Sequence, residues 1–286
     1  MNHIIKPLSA GLYFVATPIG SARDITLRGL DILASADLIA AEDTRTARKL
    51  MEIHGVPLND RKVVAFHDHS GDGSVAGLVA AVAAGKSVAY VSEAGTPLVA
   101  DPGYELGRAM IAEGVFVTAA PGASAVLAAL TVSGLPTDRF AFVGFLPASQ
   151  QQRETEIASL RDTPFTLVFY ESPKRIDGML ANLRQILGED RQVVVCRELT
   201  KKFEEVTRGT LAEVSDAFAG RRVKGELVVL VGRAGATEVA ELDVESALRD
   251  AMKTMRVKDA ATVVAGALGL PRRQVYQTAL TMGDEE

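Results

Sequence analysis

The sequence contains a single cysteine, Cys196, and no apolar run of the roughly 20 residues that a membrane helix needs. One cysteine excludes an internal disulfide and leaves a structural zinc site without its thiolate ligands. Because Cys196 ends an apolar run, residues 192–196, we interpret it as a buried small hydrophobic side chain. Residues 1–12 lack the apolar core and cleavage site of a signal peptide. We therefore expect a cytoplasmic protein with no membrane partner.

An excess of positive charge is also missing. The formal net charge is −5, which argues against a surface that is basic all round and suited to nucleic acid. The basic residues are nevertheless concentrated in two places, residues 174–202 and 249–273. Each concentration predicts either a phosphate-binding face or a solvated helix surface, and charge alone does not decide between them.

The glycine spacing of a dinucleotide-binding loop is absent as well. The first predicted strand runs into Thr17-Pro-Ile-Gly20. This loop has a proline and a single glycine where the G-x-G-x-x-G pattern needs its glycine spacing. Its composition argues against a dehydrogenase that binds a dinucleotide.

Short apolar runs alternate with helical patterns in the first half of the chain. This order predicts an α/β fold with a largely parallel sheet that is covered on both faces. The predicted strands are residues 11–16, 38–41, 63–66, 87–91 and 115–119. Predicted helices fit between them, and Thr26, Asp43 and Thr44 are candidate N-caps.

Residues 134–138 interrupt this pattern and predict a link to a second α/β domain. Its predicted strands are residues 140–145, 166–170, 192–197, 204–209 and 226–231. The last two follow their neighbours closely, so we expect a mixed sheet with antiparallel pairs. Three short helices are predicted beyond Gly232, over residues 244–255, 258–268 and 272–280. The expected domains are 1–135, 136–236 and a helical extension, 237–286.

The most informative loop spans residues 92–103 and directly follows a buried predicted strand. Its two glycines allow the backbone to approach a ligand closely, and its two prolines fix the local φ. Glu93 and Asp101 supply acceptors for the hydroxyl or amino groups of a cofactor. A plain strand-to-helix turn is the alternative, but such connections need only about 2–6 residues. The loop therefore predicts a ligand site.

Two other loops in the first half follow predicted strands. Glu42-Asp-Thr-Arg45 places two carboxylates beside an arginine, and we assign Asp43 to helix capping, which leaves Glu42 and Arg45 for function. Pro121-Gly-Ala-Ser-Ala125 opens a helix, and its first amides could bind an anion. Tight packing of the helix on the sheet would explain its small residues equally well.

Two loops in the second half of the chain are rich in side chains that can bind a ligand or take part in a reaction. Phe169-Tyr-Glu-Ser-Pro-Lys-Arg175 combines an aromatic ring, an acid, a hydroxyl group and two cations, a density typical of functional sites. Arg197-Glu-Leu-Thr-Lys-Lys202 is similar, although Glu204 and Glu205 follow it and could neutralise its lysines. We expect Lys174 and Arg175 to bind phosphate or substrate rather than to form a surface ion pair.

These motifs together, in this order, resemble the ribosomal RNA small subunit methyltransferase I family of the tetrapyrrole methylase superfamily. The motifs that carry the resemblance are the loops after residues 16, 41, 91, 120, 168 and 196. It extends over residues 11–231, and the last helices resemble the helix-turn-helix extension of that family. One such motif would be weak evidence, whereas six collinear ones are strong.

The resemblance implies a two-domain α/β fold with S-adenosylmethionine in the cleft between the domains, and a homodimer. It also implies 2′-O-methylation of a cytidine ribose in the decoding region of 16S ribosomal RNA, within the assembled small subunit. The implied cofactor-binding residues are Pro18, Ala94, Gly95, Thr96, Asp101, Gly103, Gly122, Ala123, Ser124, Tyr170 and Glu171. The implied RNA-binding residues are Arg45, Arg175, Lys202, Lys258, Arg272 and Arg273.

Methylation of a ribose hydroxyl requires help, because this group is a poor nucleophile near neutral pH. An acceptor for its proton, or a cation beside the developing alkoxide, would supply that help. The catalytic candidates are Glu42, Glu93 and Glu198 as acceptors and Lys174, Arg175 and Lys201 as cations, and the sequence does not choose among them. No metal is expected, since the sulfonium already supplies the electrophile. We assign His67 and His69 to an exposed loop.

Two other functions stay open. A methyltransferase that acts on a small tetrapyrrole would share the fold, but the basic loops and the helical tail do not suit a small macrocycle. A non-enzymatic RNA-binding module would explain the cations but not the loops at the strand ends. In the tail, two predicted helices meet at Gly269-Leu-Pro271, and we expect an inner face of Val263, Val264, Ala267 and Leu268. RNA binding and simple packing are equal alternatives for this tail.

Overall fold

The computed structural model describes residues 3–67, 72–234, 241–268 and 272–283. The chain forms two compact units: residues 162–164 and everything beyond Gly232 make the smaller one, and the rest makes the larger one. The predicted turn at residues 269–271 and His69 lie outside the described residues. The predicted boundaries at 135 and 236 stay predictions.

The larger unit begins with a five-stranded parallel sheet. Its strands are β1 (Gly11–Val15), β2 (Leu38–Ala41), β3 (Lys62–Ala65), β4 (Ser87–Val91) and β5 (Val117–Ala120), in the order β3-β2-β4-β1-β5. The helices that connect them are α1 (Leu27–Ser35), α2 (Thr44–Ile53), α3 (Asp72–Ala83) and α4 (Tyr104–Ala112). Every strand pair is parallel, and apolar clusters cover both faces. The predicted parallel sheet is confirmed, and its strands all end at one edge.

A second, mixed sheet completes this unit. Its elements are α5 (Ala125–Ser133), β6 (Phe140–Phe145), α6 (Gln150–Ser159), β7 (Thr166–Glu171), α7 (Ile176–Leu187), β8 (Gln192–Arg197), β9 (Glu205–Thr210), α8 (Leu211–Phe218) and β10 (Leu227–Val231). The strand order is β6-β7-β10-β8-β9, with β6 and β7 parallel and the other pairs antiparallel. Short connections such as that between β8 and β9 permit only antiparallel pairing. The predicted mixed sheet is confirmed.

One apolar cluster joins the two sheets. It combines Ile19 from the loop after β1 with Val126 and Leu130 of α5 and with residues of the second sheet, among them Cys196. The Cys196 side chain is fully buried, as predicted, and burial raises the pKa of its thiol to about 11. This shared core fixes the strand-end loops of the first sheet against the second sheet.

The smaller unit contains α9 (Glu241–Met252), α10 (Val257–Leu268) and α11 (Arg272–Gly283), so the predicted three helices are confirmed. The predicted inner face is partly wrong, because Val263 and Ala267 are exposed. Ala261, Val264 and Ala265 are buried instead, a stripe with the three-to-four residue spacing of a helix. Among the described residues, no helix is long and apolar enough to cross a membrane.

Candidate active site

Hydrogen bonds hold the loop of residues 92–103, the β4–α4 loop, in place at the carboxyl edge of the first sheet. Thr17 and Gly95 exchange two backbone bonds, with N–H to oxygen distances of 2.9 and 3.0 Å. The Thr96 hydroxyl donates to the carbonyl of Ala123 at 2.9 Å, and the Tyr90 hydroxyl donates to that of Pro102 at 2.9 Å. The loop is therefore tied to the loop after β1, to the loop after β5 and to its own strand.

The backbone of this loop is strained. Leu98 and Ala100 have φ angles of 72° and 60°, values that cost a non-glycine residue about 1–3 kcal/mol. Gly103 has a φ of 116°, and a Cβ atom there would lie 2.9 Å from Cδ2 of Leu98. Such conformations persist where the surroundings fix them, and they concentrate at ligand sites.

A cavity of about 380 Å³ lies between this loop and the second sheet. Its volume is in the range of about 300–1,000 Å³ that small-molecule sites occupy. Of the predicted site residues it is lined by Glu42, Glu93, Ala94, Gly95, Thr96, Asp101, Ser124, Tyr170 and Glu171. The structure therefore brings together, around one cavity, predicted residues from four separate segments of the chain.

Glu171 provides the clearest sign of a missing ligand group in the cavity wall. Its side chain is fully buried. Oε1 accepts the backbone N–H of Ser172 at 2.7 Å and lies 3.4 Å from Nε of Arg175, whereas Oε2 has no hydrogen-bond partner among the described residues. A buried acceptor without a donor is costly. A hydroxyl or ammonium group of a ligand would satisfy it.

Two aromatic side chains form another part of the wall. Burial, followed by the negative charge of Asp101, raises the pKa of the Tyr170 phenol to about 12. Phe145 is 56% exposed and meets the Tyr170 ring edge-on at 5.7 Å. Phe145 was not predicted from the sequence, and neither were three other lining residues, Ile19, Val99 and Glu226. An available signal was Gly144, because a glycine inside a strand pattern suggests a bulge, and the β6 register does shift between Phe142 and Gly144.

The three candidate proton acceptors have different surroundings. Glu42 accepts the backbone N–H of Glu93 through Oε2 at 2.9 Å, and the Glu93 side chain is exposed. Glu198 does not line the cavity. Its Oε1 accepts from Nζ of Lys201 at 2.9 Å and from the backbone N–H of Glu226 at 3.1 Å. The Lys201 hydrogen bond is the main reason why the pKa of Glu198 is lowered.

Lys201 lies outside the cavity as well. Its ammonium group also contacts Oε2 of Glu226 at 2.8 Å. Burial alone would lower its pKa, but hydrogen bonds to Glu198 and Glu226 outweigh that effect and raise it. Two carboxylates of the same chain therefore hold this cation, and one of them, Glu226, lines the cavity.

The arginines of the predicted RNA-binding set in this unit are paired within the chain. Arg175 donates through its NH2 group to the carbonyls of Leu146 and Pro147 at 2.6 and 3.0 Å. Arg45 forms an ion pair of 2.7 Å with Asp43, yet its side chain is 90% exposed. Asp43 caps α2 by accepting the N–H of Arg45 at 2.7 Å, so the predicted cap is confirmed. Arg175 therefore supports a neighbouring loop, whereas Arg45 remains accessible to a ligand.

The remaining predicted residues lie elsewhere. Pro18 lines a neighbouring groove, and Gly103, Gly122 and Ala123 do not line the cavity. A Cβ atom on Gly122 would lie 2.9 Å from that of Ala16, so Gly122 permits close packing of two loops. The cations Lys174, Lys202, Lys258, Arg272 and Arg273 are exposed, the last three on the smaller unit. No cluster of three or more potential metal ligands occurs in the part of the chain that the structure describes.

The match to a family model, together with the fold, identifies a methyltransferase of the tetrapyrrole methylase class. Residues 11–215 match the model of the tetrapyrrole (corrin/porphyrin) methylases. The fold is similar to that of the methyltransferase CobJ, with a TM-score of 0.61 and 21% identity over 79% of this chain and 95% of that one. It is also similar to uroporphyrin-III C-methyl transferase from Thermus thermophilus complexed with S-adenyl homocysteine, with a TM-score of 0.55 and 19% identity over 78% and 98% of the two chains.

Relatives of higher identity define the family within this class. Ribosomal RNA small subunit methyltransferase I of Mesorhizobium japonicum is 44% identical over 98% of this chain and 94% of its own length. The Vibrio cholerae protein of the same name is 42% identical over 94% of each chain. Residues 238–283 match the RsmI C-terminal HTH domain. The chain belongs to the ribosomal RNA small subunit methyltransferase I family and is a methyltransferase, so the non-enzymatic alternative is wrong.

Proposed function

We propose that this protein transfers a methyl group from S-adenosylmethionine to the ribose 2′-hydroxyl of a cytidine in the decoding region of 16S ribosomal RNA. Membership of the family supports methylation of small-subunit ribosomal RNA with this cofactor. The observation that carries the proposal is the buried Glu171 carboxylate, whose Oε2 has no hydrogen-bond partner among the described residues. Glu171 belongs to the wall of a cavity whose volume suits one small molecule.

The cavity residues fit this cofactor. When bound, S-adenosylmethionine supplies an electrophilic methyl group on a sulfonium centre. Glu171 and Asp101, which both line the cavity, would accept hydrogen bonds from its ammonium or hydroxyl groups. The backbone of residues 94–96 would contact the cofactor closely, because Gly95 has no side chain to block the approach. Tyr170 and Phe145 would pack on its apolar parts and exclude water.

In this proposal the exposed cations bind the phosphates of the RNA. Lys174 and Lys202 are exposed on the larger unit, and Lys258, Arg272 and Arg273 are exposed on the smaller one. Contacts of this kind with phosphates position RNA without reading its sequence. We further propose a homodimer that acts in the cytoplasm on the assembled small subunit.

Methyl transfer to ribosomal subunits tests the function directly. Small subunits from a strain that lacks the protein are incubated with the enzyme and methyl-labelled cofactor, and the modified nucleotide is mapped. We expect one labelled cytidine ribose in the decoding region, and more label in assembled subunits than in naked 16S RNA. Label on a base, or label only in a small tetrapyrrole, would overturn the proposal.

A chain that ends at Gly232 tests the helical tail separately. We expect this variant to fold and bind the cofactor, because the cavity is built entirely within the larger unit. It should methylate subunits more slowly than the full chain if the tail binds RNA. Full activity would remove the RNA-binding role, and failure to fold would favour the packing role.

A further inference from the structure

A second hollow opens beside the cofactor cavity. It is a groove of about 590 Å³ between the loop after β1 and helix α2. Pro18 and Gly20 form one wall, and Lys49 and Ile53 belong to the other. Nε2 of His54, at the end of α2, lies 2.7 Å from the carbonyl oxygen of Ala22. This contact fixes the loop to the helix, so the groove is a built feature of the fold.

The groove and the cofactor cavity share one side chain. Among the residues that the structure describes, Glu93 alone lines both hollows. Its backbone N–H is held by the Glu42 carboxylate at 2.9 Å, while its own side chain is exposed. A group bound in the groove and a group bound in the cavity would therefore meet at Glu93.

The groove has two exposed cations that a phosphate can contact. Arg45 and Lys49 line it, with side chains that are 90% and 66% exposed. Their acidic partners are Asp43 at 2.7 Å and Glu52 at 3.2 Å. Exposed ion pairs of this kind contribute only about 0–1 kcal/mol. A phosphate can therefore compete with these carboxylates for both cations.

The groove also has an apolar surface on which a base can lie. Pro18 and Leu50 line it together with Ile53, and 53% of Ile53 is exposed to solvent. Cations at the rim and apolar side chains between them match a nucleotide, whose phosphate is charged and whose base has apolar faces. Enzymes that act on a base commonly turn the whole nucleotide out of its helix into such a pocket.

We propose that this groove binds the target nucleotide of the RNA and that Glu93 contacts its 2′-hydroxyl. The inference rests on the proposed function and specifies its acceptor site. The 2′-oxygen forms a bond to the transferred methyl carbon as the bond between that carbon and sulfur breaks, and the electron pair of the broken bond stays on sulfur. The hydroxyl proton passes to the Glu93 carboxylate, which leaves a neutral ether and a neutral thioether.

The other two candidate acceptors are less suited to this role. Glu42 lines the cofactor cavity but not the groove, and one of its oxygens is occupied by the Glu93 backbone. Glu198 lines neither hollow, and its Oε1 is occupied by Lys201. Of the three, Glu93 is the carboxylate that a bound nucleotide and a bound cofactor can both reach.

Single-turnover methyl transfer to small subunits tests Glu93. Glu93→Gln keeps the shape and removes the proton acceptor, so the rate should fall by about 10²–10⁴-fold, with cofactor and RNA affinities unchanged. Glu113→Gln, an exposed acid near the opposite edge of the sheet, should react like the wild type. A wild-type rate in Glu93→Gln, or a loss of cofactor affinity as large as the loss of rate, would overturn the assignment.

Binding of an unmodified 16S RNA transcript tests the groove without requiring catalysis. The double variant Arg45→Ala/Lys49→Ala should lower the salt slope of binding by about 1.4, or roughly 0.7 for each lost phosphate contact. The control Lys62→Ala/Lys86→Ala removes two exposed lysines at the amino ends of β3 and β4 and should leave the slope unchanged.

Equal slopes in the two double variants would overturn the groove assignment. If the wild type methylates subunits normally in that case, the proposed function survives and only the acceptor site is wrong. If the wild type fails to methylate subunits but binds the transcript through Arg45 and Lys49, the proposed function falls and the groove assignment stands.

Discussion

The two sheets of the larger unit present their charged loops in opposite ways. Loops of the first sheet leave Glu93 and Arg45 exposed beside hollows that can accept a ligand. In the second sheet, by contrast, Arg197 and Lys201 of the loop of residues 197–202 are paired within the chain, while Lys174 and Lys202 are exposed. Lys201 lies between Glu198 and Glu226, and Nε of Arg197 contacts Glu205 at 2.9 Å.

This difference shows that a loop rich in charged and polar side chains can either bind a ligand or support a neighbouring loop. The loop of residues 197–202 supports the first sheet instead of facing the cavity, since the Thr200 hydroxyl accepts the backbone N–H of Ser21 at 3.1 Å. A Cβ atom on Gly20 would lie 2.6 Å from that hydroxyl oxygen, so the two loops are closely packed. The loops of the first sheet face the places where a ligand can bind, whereas the loop of residues 197–202 supports those loops.

Glu171 belongs to the second sheet but lines the cavity, and its substitution should have the largest effect on cofactor binding. Glu171→Gln removes the charge from a fully buried side chain with an unsatisfied oxygen. A hydrogen bond to a charged group is worth about 1.5–3 kcal/mol, so cofactor affinity should fall by about 10- to 100-fold. Calorimetric titration measures this, with the exposed Glu156→Gln as control. Equal affinities would place the cofactor away from Glu171.

The second prediction tests whether the backbone of the first sheet's loop contacts the ligand. A methyl group at Gly95 would lie 3.2 Å from Cγ2 of Ile19, a residue of the cavity wall, and the φ of Gly95 is 81°. Gly95→Ala should therefore lower cofactor affinity by about tenfold and destabilise the fold by about 1–3 kcal/mol.

Gly114→Ala separates these two effects. Gly114 has a φ of 66° and open space around it, so alanine there adds backbone strain without touching the cavity. Both variants should lose similar stability in thermal unfolding, and only Gly95→Ala should lose cofactor affinity. If both variants retain it, the backbone at Gly95 does not line the ligand.

The third prediction compares a paired cation with an exposed one. Lys201→Met leaves Glu198 and Glu226 without their cation and should lower the stability by about 1 kcal/mol, with little change in the salt slope of RNA binding. Lys174→Ala should lower that slope by about 0.7 and leave the melting temperature unchanged. The reverse pattern would show that Lys201 contacts RNA phosphate and that its carboxylates only position it.

The last prediction concerns Glu205, where only the stability of the fold is expected to change. Hydrogen bonds from Arg221 and then Arg197 lower the pKa of this carboxyl from 4.5 to about 2. Because the folded pKa is the lower one, the stabilisation is complete above pH 4.5 and is lost as the pH falls towards 2. The difference in melting temperature between the wild type and Glu205→Gln should be constant from pH 7 to 5 and shrink below that. A difference that grows on acidification contradicts this assignment.

The strands and the positions of their loops were predictable from the sequence, because buried strands are short apolar runs between turn residues. The pairing of Lys201 was not fully predictable. One of its partners, Glu226, is distant in sequence, and only the antiparallel pairing of β8 and β10 brings it near. The position of Phe145 depends on a bulge in β6. The inner face of α10 was misjudged because the sequence alone does not fix how a short helix is rotated against its neighbours.

Cys196 makes the chain convenient for spectroscopy. It is the single cysteine of the sequence, it is fully buried, and its thiol pKa of about 11 keeps the reactive thiolate scarce at neutral pH. A maleimide dye should therefore not react with the native protein. It should react with a single cysteine that is introduced on the surface. A dye attached in this way near the groove would report the arrival of RNA as a change in fluorescence, in real time and with the natural thiol left in place.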